Sequence, residues 1–339
     1  MEEIKNKKWI FFALGLLAAT VLIFIFAGVK KGNINSENKN AQEKSQAVLE
    51  TQPADEKINA MMMLIEFENI AGVLNWEKEL DSRNITALVK VQDNILKEYP
   101  NVFKRLANKG YEIAGGYDTE AFWDMPYDEQ YKHLKDAKDL VESVTGKTMR
   151  VFGSRYFAYD ENTLKAADAL GIEYILARGT QDVNAVIYQP DEYETKIISV
   201  SNVDFGDMGR GSLCDYSLWA RGSSPAEFGA MVEESIAKKP QNMILVSHSY
   251  LGGTRLAWWQ EYEKALGYEN LDWRGFDDWV AAQDVIAMPN AKIPMNKEVK
   301  YVAPNPEKEI DEYEAVPGLD ELKKNGITST ADDGKMICQ

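Results

Sequence analysis

Cysteine and histidine are scarce in this sequence, and their scarcity limits the sites that it can build. The 339 residues include two cysteines, Cys214 and Cys338, and two histidines, His133 and His248. Two cysteines give neither a disulfide framework nor the close pair spacing of a metal-binding motif. Because zinc sites draw mainly on cysteine, histidine and carboxylate ligands, a site built on several imidazoles has few residues available here.

Positive charge is also in short supply. Lys and Arg number 38 against 54 Asp and Glu, which gives a net charge of −16. We therefore expect no binding to nucleic acid, and no binding to anionic lipid surfaces by charge. The hydrophobic content of 45% is sufficient for a globular core, and the length suits one large domain with extensions.

One long uncharged apolar stretch lies near the N-terminus, from Trp9 to Val29. Lysines flank it on both sides, and it exceeds the apolar region of a signal peptide while being long enough to span a bilayer. We predict that residues 1–31 are an uncleaved transmembrane anchor with the domain outside the cytoplasm. A cleaved signal peptide would also place the domain there. The polar residues 32–57 are predicted to be a flexible linker.

Strand and helix signals alternate from residue 58 to residue 290. Met149–Ala177 shows the pattern, with an apolar run from Val151, a loop that carries Arg155 and Tyr156, a helix capped by Asp160, and a second apolar strand. A strand–helix–strand unit of this kind implies a parallel sheet covered by helices. About seven units favour a (β/α) barrel, with a doubly wound sheet as the alternative. The acidic, Pro-punctuated residues 291–339 are predicted to be an extended or disordered tail.

Polar side chains follow the predicted strands at the ends where parallel sheets place their active sites. These strand-end residues are Glu66, Glu68, Asn69, Gly116, Asp118, Glu120, Arg155, Tyr156, Asn202, Asp204 and His248. Four of the five strand ends carry a carboxylate or an imidazole. The topology alone therefore predicts a functional site at this edge of the sheet.

Several segments resemble the polysaccharide deacetylase family, the NodB-homology domain of carbohydrate esterases. They are ITALVKV with EYPNVFKRLANKGYEIAGG, LVESVTGKTMRVF leading into ENTLKAADALGIEY, and NMILVSH. The resemblance covers about two-thirds of the chain and implies a NodB-like (β/α) barrel that removes N-acetyl groups from an envelope or extracellular glycan. In that family a zinc or similar ion polarises the acetyl carbonyl and activates water, and an aspartate takes the water's proton.

The resemblance implies roles for three residues. Glu68 falls at the position of the catalytic base, and His248 matches the histidine that protonates the leaving amine. Tyr156 matches the tyrosine whose backbone N–H helps to form the oxyanion hole. The family's arginine position falls on Gly153, with Arg155 two places later.

The metal-binding positions depart from the family pattern. The metal-binding aspartate falls on Asn69, and the two histidines fall on Gly116 and Glu120. The usual histidine pair is therefore absent. Glu68, Asn69 and Glu120 are candidate oxygen ligands for a divalent cation of the calcium or magnesium type, while the identity of any metal stays open.

Four further residues are predicted to bind the substrate. Asp118 and Arg155 follow strands, and Arg155 either anchors an acidic sugar or satisfies a buried carboxylate. Trp219 and Arg221 lie in an insertion from about residue 179 to 223 and either stack on sugar rings or pack internally. The alternative to an enzyme is a catalytically inactive relative that binds a glycan or envelope partner through the same cleft.

Overall fold

The structure is a computed structural model that describes residues 57–66, 69–123, 125–288 and 313–328. The predicted anchor (residues 1–31), the predicted linker except Lys57, Glu68 and much of the predicted tail lie outside these ranges. Among the described residues, no helix combines the length and hydropathy that a membrane span needs.

Twelve strands occur in the described ranges. In chain order they are β1 (Ile58–Glu66), β2 (Leu88–Gln92), β3 (Glu112–Tyr117), β4 (Val151–Ser154), β5 (Tyr174–Ala177), β6 (Val186–Pro190), β7 (Lys196–Ser199), β8 (Asn202–Asp204), β9 (Arg210–Ser212), β10 (Asn242–His248), β11 (Leu271–Trp273) and β12 (Val285–Met288). The main sheet runs β10-β1-β2-β3-β4-β5-β7-β6-β12, and β11 also pairs with β1. Its first seven strands are parallel neighbours, whereas β6 is antiparallel to β7.

The seven parallel strands agree with the predicted number of strand–helix units. Between β12 and β10, the two ends of the strand order, no pairing is found among the described strands. The sheet is therefore an open half-barrel, and this is the form that the predicted (β/α) barrel of about seven units takes.

Within the part of the chain that the structure describes, ten α-helices connect and cover these strands. They are α1 (Ile70–Ser82), α2 (Asp93–Glu98), α3 (Pro100–Asn108), α4 (Tyr127–Thr145), α5 (Glu161–Ala169), α6 (Asp215–Trp219), α7 (Pro225–Ala237), α8 (Leu256–Leu266), α9 (Phe276–Ala281) and α10 (Leu319–Thr328). Their starts follow local chemistry: Pro occupies the first turn of α3 and α7, and Asp160 with Thr163 forms a capping box at α5. Both devices stabilise a helix N-terminus because its first N–H groups have no partner within the helix.

Strand β1 shows why the sheet is buried on both faces. All nine of its residues are buried, and alternate side chains point to opposite faces of a strand. Met62 and Leu64 belong to the larger cluster with the covering helices. Met61 and Met63 belong to the cluster on the other face, with side chains from neighbouring strands and from α9. The continuous apolar run in the sequence is therefore the signature of a strand covered on both sides.

Part of the predicted tail is folded. Helix α10 packs on α1 and α3, and the Arg105 Nη1 group donates a hydrogen bond to the Gly326 carbonyl at 2.9 Å. The N–H of Val316 donates to the Thr254 carbonyl at 2.8 Å. The expectation of an extended tail is wrong for residues 313–328, because their apolar side chains find partners on the body of the domain.

Candidate active site

A cavity of about 220 Å³ lies at the C-terminal ends of the parallel strands. Gln92 ends β2, Asp118 follows β3, Ser154 ends β4, Arg178 follows β5 and His248 ends β10, and all five line it. The insertion of residues 179–223 forms another wall through β9 and α6. The predicted convergence at this edge of the sheet thus yields an enclosed site, and the insertion is part of it.

His248 forms a close pair with Asp215, a residue at the start of α6. Its Nδ1 lies 3.0 Å from Asp215 Oδ1, and its backbone N–H donates to the same carboxylate at 3.0 Å. Asp215 is fully buried, whereas His248 retains 8% of its exposure and lines the cavity. Asp215 therefore fixes the ring from behind while the imidazole faces the cavity.

Three further hydrogen bonds hold the Asp215 carboxylate. It accepts from the Tyr216 N–H at 2.6 Å, the Gly252 N–H at 2.9 Å and the Ser247 hydroxyl at 3.2 Å. A Cβ on Gly252 would lie 2.4 Å from Asp215 Oδ2, so the close approach of this N–H requires glycine. Such a hydrogen-bonded carboxylate is fixed in position and can orient an imidazole.

The environment favours the charged form of His248. Burial by itself lowers the pKa of this imidazole, but hydrogen bonds and charge interactions with Asp215 and Cys214 outweigh it and raise the pKa to about 9. At neutral pH the ring is therefore an imidazolium. Because Nδ1 faces Asp215, Nε2 is the nitrogen that can give a proton to a bound molecule.

Lys90 is a buried cation within β2 that contacts the cavity. Its Nζ group forms a salt bridge with Asp118 at 2.6 Å, and only 2% of the lysine side chain is exposed. Buried charges are stable only when paired and hydrogen-bonded. Asp118, predicted to bind substrate, thus lines the cavity and also neutralises Lys90.

The loop after β4 carries backbone strain at the cavity wall. Tyr156 and Phe157 have φ values of 60° and 53°, a left-handed conformation that is unfavourable for residues with a Cβ. Arg178 supports the loop by donating from Nε to the Tyr156 carbonyl at 3.0 Å. Arg155 donates from Nη1 to the Thr119 carbonyl at 2.8 Å. Consecutive strained residues are typical of functional loops that the surrounding structure holds in place.

Comparison with known proteins bears on the resemblance seen in the sequence. The sequence profile of the polysaccharide deacetylases matches residues 75–175, which include strands β2 to β4, the strained loop and the start of β5. The match confirms the resemblance to the polysaccharide deacetylase family. A search of curated proteins found no match for the chain.

Solved structures share the fold of this domain. A Mycobacterium smegmatis protein described as a putative polysaccharide deacetylase is 12% identical, with a TM-score of 0.55; the match covers 70% of this chain and 96% of that protein's chain. A Pseudomonas aeruginosa protein described as a probable polysaccharide deacetylase is 15% identical, with a TM-score of 0.52; the match covers 68% of this chain and 92% of that protein's chain. The Puue allantoinase is 15% identical, with a TM-score of 0.51; the match covers 68% of this chain and 91% of the allantoinase chain. At these identities the likeness shows the fold alone, and it confirms the predicted NodB-like fold.

The positions at which the resemblance places metal ligands do not fit a divalent cation. The Asn69 side chain accepts a hydrogen bond from the Ala71 N–H at 3.1 Å and caps α1. Gly116 offers no side chain, and a Cβ there would lie 2.9 Å from the Val91 carbonyl oxygen. Glu120 is exposed and is not among the residues that line the cavity. The three family positions thus supply no ligand set.

Cys214, Asp215 and His248 are the one other group with suitable atoms in the described ranges, all within 4.8 Å of one another. Both Asp215 oxygens already accept hydrogen bonds from His248 and Gly252. The Cys214 Sγ atom accepts from the Ser217 N–H at 3.2 Å and caps α6. These contacts make the group a hydrogen-bonded unit that orients His248, with too few remaining lone pairs for a metal.

The remaining predicted residues separate into two groups. Arg155, Tyr156 and Arg221 line the cavity as expected. Trp219 is only 5% exposed and packs beside Tyr216 with ring centroids 5.7 Å apart. The prediction that Trp219 stacks on a sugar is corrected: this side of α6 faces the core. Glu68 lies outside the described residues.

Asp215 and Lys90 are the main site residues that sequence reasoning missed. A lysine inside the apolar strand segment LVKVQ is itself a signal, because a buried ammonium needs a carboxylate nearby. Asp215 gave no comparable signal. It lies 33 residues from His248 within an insertion, and only the tertiary fold brings the two together.

Proposed function

We propose that the domain is a hydrolase that removes N-acetyl groups from a glycan, with His248 as the acid that protonates the departing amine. The observation that carries this proposal is the His248–Asp215 pair in a cavity at the strand ends. An imidazolium held by a buried carboxylate is a suitable proton donor at neutral pH. The match of residues 75–175 to the polysaccharide deacetylase family supports an amide of an acetylated sugar as the bond that is cleaved.

The reaction needs a base, an oxyanion site and an acid. Glu68 is the proposed base: it follows β1, where Ile65 is the register partner of His248 on β10. Glu68 takes a proton from water as the water oxygen bonds to the acyl carbon, and the backbone N–H of Tyr156 is proposed to stabilise the resulting oxyanion. The C–N bond then breaks as His248 transfers its Nε2 proton to the nitrogen, giving acetate and a free amine. No step in this scheme uses a metal.

We also propose that the domain acts outside the cytoplasm on an envelope glycan. Support comes from the uncharged apolar stretch Trp9–Val29 and its flanking lysines, whose length fits a bilayer.

A second candidate function is a non-catalytic relative that binds a glycan or envelope partner through the same cavity. Asn69 and Gly116 favour it, because they stand where the family has metal ligands and cannot act as an aspartate and a histidine do. The loss of metal chemistry leaves the cavity itself intact, and a glycan can still bind there.

Amine release from neutral and acidic N-acetylated oligosaccharides tests the two functions. We expect release by the full chain that resists a chelator and falls at least about 100-fold in His248→Ala, the range for losing a general acid. His133→Ala is the matched control, since His133 is the other histidine, lies on α4 and is not among the cavity-lining residues. If these oligosaccharides bind without any release of amine, the catalytic proposal is wrong and the glycan-binding function stands.

A further inference from the structure

A chain of hydrogen bonds runs behind His248, from helix α1 to the imidazole. The Trp76 Nε1–H group donates to the Ser247 hydroxyl oxygen at 3.1 Å, and this hydroxyl lies 3.2 Å from Asp215 Oδ2. The other carboxylate oxygen, Oδ1, lies 3.0 Å from His248 Nδ1. Trp76, Ser247 and Asp215 are fully buried, so bulk water does not reach these bonds. Side chains from three separate segments of the chain thus end on the proposed proton donor.

The chemistry of the members fixes the direction of this chain. An indole N–H can only donate, whereas a serine hydroxyl both donates and accepts. The Ser247 oxygen therefore accepts from Trp76, and its own proton points away from the indole. An ionised carboxylate can only accept, and Asp215 Oδ2 is the acceptor that the hydroxyl meets. Contact with Trp76 thus makes Ser247 a donor to Asp215.

Aromatic packing holds the indole N–H in this direction. The Trp76 ring makes edge-on contacts with Trp259 and Tyr262 of α8, with centroids 4.9 and 5.1 Å apart and interplanar angles of 69° and 82°, an arrangement that aromatic pairs favour. The Tyr262 hydroxyl accepts the Asp215 N–H at 3.2 Å and donates to the Val246 carbonyl at 2.6 Å. Helices α1 and α8 therefore fix the start of the chain and the backbone of the residue near its end.

Ser247 acts from the side of the sheet opposite the cavity. It directly precedes His248 on β10, and successive side chains of a strand point to opposite faces. His248 is among the described residues that line the cavity, and Ser247 is not. Ser247 can therefore affect the acid only through Asp215, without touching a bound molecule.

We propose that Trp76 and Ser247 are positioning residues for the proton donor: they direct one hydroxyl proton to Asp215 Oδ2 and so keep Oδ1 aligned with His248 Nδ1. The inference rests on the proposed function for the role of His248 as an acid. A hydrogen bond donated to a carboxylate stabilises its negative charge, so Asp215 holds the imidazolium less tightly than an unsupported carboxylate would. The chain therefore keeps the ring charged and still able to give up its Nε2 proton.

NMR titration of the full chain, labelled with 13C-histidine, tests this inference. Ser247→Ala removes the hydroxyl, and we expect the measured pKa of His248 to rise by about half a unit to one unit, because Asp215 then attracts the imidazolium more strongly. Ser247→Cys keeps a weaker donor and should give a smaller rise. Trp76→Phe keeps the hydroxyl but removes the group that directs and polarises it, so we expect a smaller rise here too.

The other groups that affect this titration are the same in every variant. Cys214 precedes Asp215, and Tyr262 contacts its backbone. Tyr216 and Tyr250 lie beside the imidazole, with ring centroids 4.8 and 6.1 Å from it. The charged residues of the described cavity lining are also unchanged: Lys90, Asp118, Arg155, Arg178, Arg210 and Arg221.

Two control variants remove the same groups elsewhere. Ser235 is a buried serine whose hydroxyl donates to the Met231 carbonyl at 2.7 Å, and Ser235→Ala should leave the titration of His248 unchanged. Trp258 is a buried tryptophan of α8 whose Nε1 has no hydrogen-bond partner among the described residues, so Trp258→Phe should also leave it unchanged. Circular dichroism melting of each variant separates these effects from loss of folding.

The outcomes separate this inference from the proposed function. A rise in the pKa of His248 in Ser247→Ala, in a native chain that releases no amine, supports the hydrogen-bond chain and contradicts the hydrolase. Amine release by the native chain, with an unchanged or lowered pKa in Ser247→Ala, overturns the inference and leaves the hydrolase standing. An equal rise in Ser235→Ala also overturns it. If both proposals hold, the alkaline limb of the pH profile for amine release should move upward in Ser247→Ala by the same amount as the pKa.

Discussion

The charge of His248 depends mainly on Asp215. Burial opposes the imidazolium, and Asp215 together with Cys214 raises its pKa to about 9. Asp215→Asn replaces a charged acceptor with a neutral one while keeping the shape of the side chain. We expect the pKa of His248 to fall below its ordinary value of 6.5, because burial then dominates.

Proton NMR titration measures this shift directly. The chain has only two histidines, so His133 provides an internal reference in the same spectrum. Amine release at pH 7 should fall in Asp215→Asn and recover partly at lower pH, where the imidazole is again protonated. An unchanged titration of His248 in the variant would show that Asp215 does not set its charge.

The same pair links stability to pH. The folded pKa of His248 lies above the value of an unfolded histidine, so its stabilising effect is fully present below pH 6.5 and is lost as pH rises through about 9. The contribution is on the order of 3 kcal/mol. Urea unfolding at pH 6 and pH 10 should show this loss in the native chain, and the loss should be absent or much smaller in Asp215→Asn.

A further prediction at the residue scale concerns Gly116. A histidine there would restore a ligand type that the family uses, but its Cβ would lie 2.9 Å from the Val91 carbonyl oxygen and 3.3 Å from Lys90 Cγ. We expect Gly116→His to destabilise the domain by about 1–3 kcal/mol through overpacking and to bind no zinc. Calorimetry with zinc and urea unfolding check the two parts. Gly116→Ala is the control for steric cost alone, and tight zinc binding by a stable histidine variant would contradict the prediction.

At the scale of elements, the sequence identified best those segments whose own pattern decides their structure. The helix predicted to be capped by Asp160 is α5, and Asp160 is its N-cap, because a capping residue before an apolar stripe marks a clear start. Helix α1 was not predicted. It buries polar Asn75 and Glu77 beside its apolar residues, so it lacks the single apolar stripe of a surface helix.

The site shows the same division between local and tertiary information. Strand ends carry their residues to one edge by topology, so the presence of His248 and Tyr156 at the cavity could be predicted. The partner of His248 could not be predicted, because Asp215 follows a short ribbon of β8 and β9 that returns beside β10 only in the folded chain.

The folded part of the tail also depends on tertiary contacts, because α10 needs α1 and α3 to bury its apolar side chains.

An ion network holds α1, α3 and α10 together. Glu77 on α1 is buried and binds Arg105 at 2.7 Å and Lys109 at 2.8 Å, while Arg105 also donates to Gly326 on α10. Burial raises the pKa of Glu77, but Arg105 and Lys109 outweigh it, so that the net pKa is lowered. Glu77→Gln removes the carboxylate that Arg105 and Lys109 share, although Lys109 keeps its pair with Asp81 at 2.5 Å, and we expect a loss of about 3–5 kcal/mol in unfolding free energy at pH 7.

Urea unfolding of Glu77→Gln at several pH values checks this prediction. A carboxylate with a lowered folded pKa stabilises above its unfolded pKa and loses that effect as pH falls, so the difference between native chain and variant should shrink in acid. Asp93→Asn is the matched control, because its exposed pair with Lys97 is worth less than about 1 kcal/mol. Equal losses in the two variants would show that burial of Glu77 has no special weight.

At the scale of the whole molecule, charge is distributed unevenly. Carboxylates exceed cations by 54 to 38 over the sequence, while cations dominate the lining of the cavity. An acidic exterior repels anionic polymers at long range, whereas a cationic cavity attracts an anionic group once it is close.

The N-terminal stretch makes the last prediction, which concerns where this charge pattern acts. Trp9–Val29 is expected to anchor the chain, because an uncharged apolar stretch of this length is stable across a bilayer and unstable in water. In cells, the full chain should sediment with membranes, resist extraction by high salt and be released by detergent. A chain that begins at Ile58 should remain in the soluble fraction, since it keeps the sheet and loses the apolar stretch.

A protease added to intact cells from which any outer barrier has been removed should digest the domain if it lies outside the cytoplasm. Replacing Leu16 and Leu17 with Asp is the matched change within the full chain, and it should release the domain without altering its melting temperature. Membrane association that survives both changes would show that the attachment lies in the domain itself.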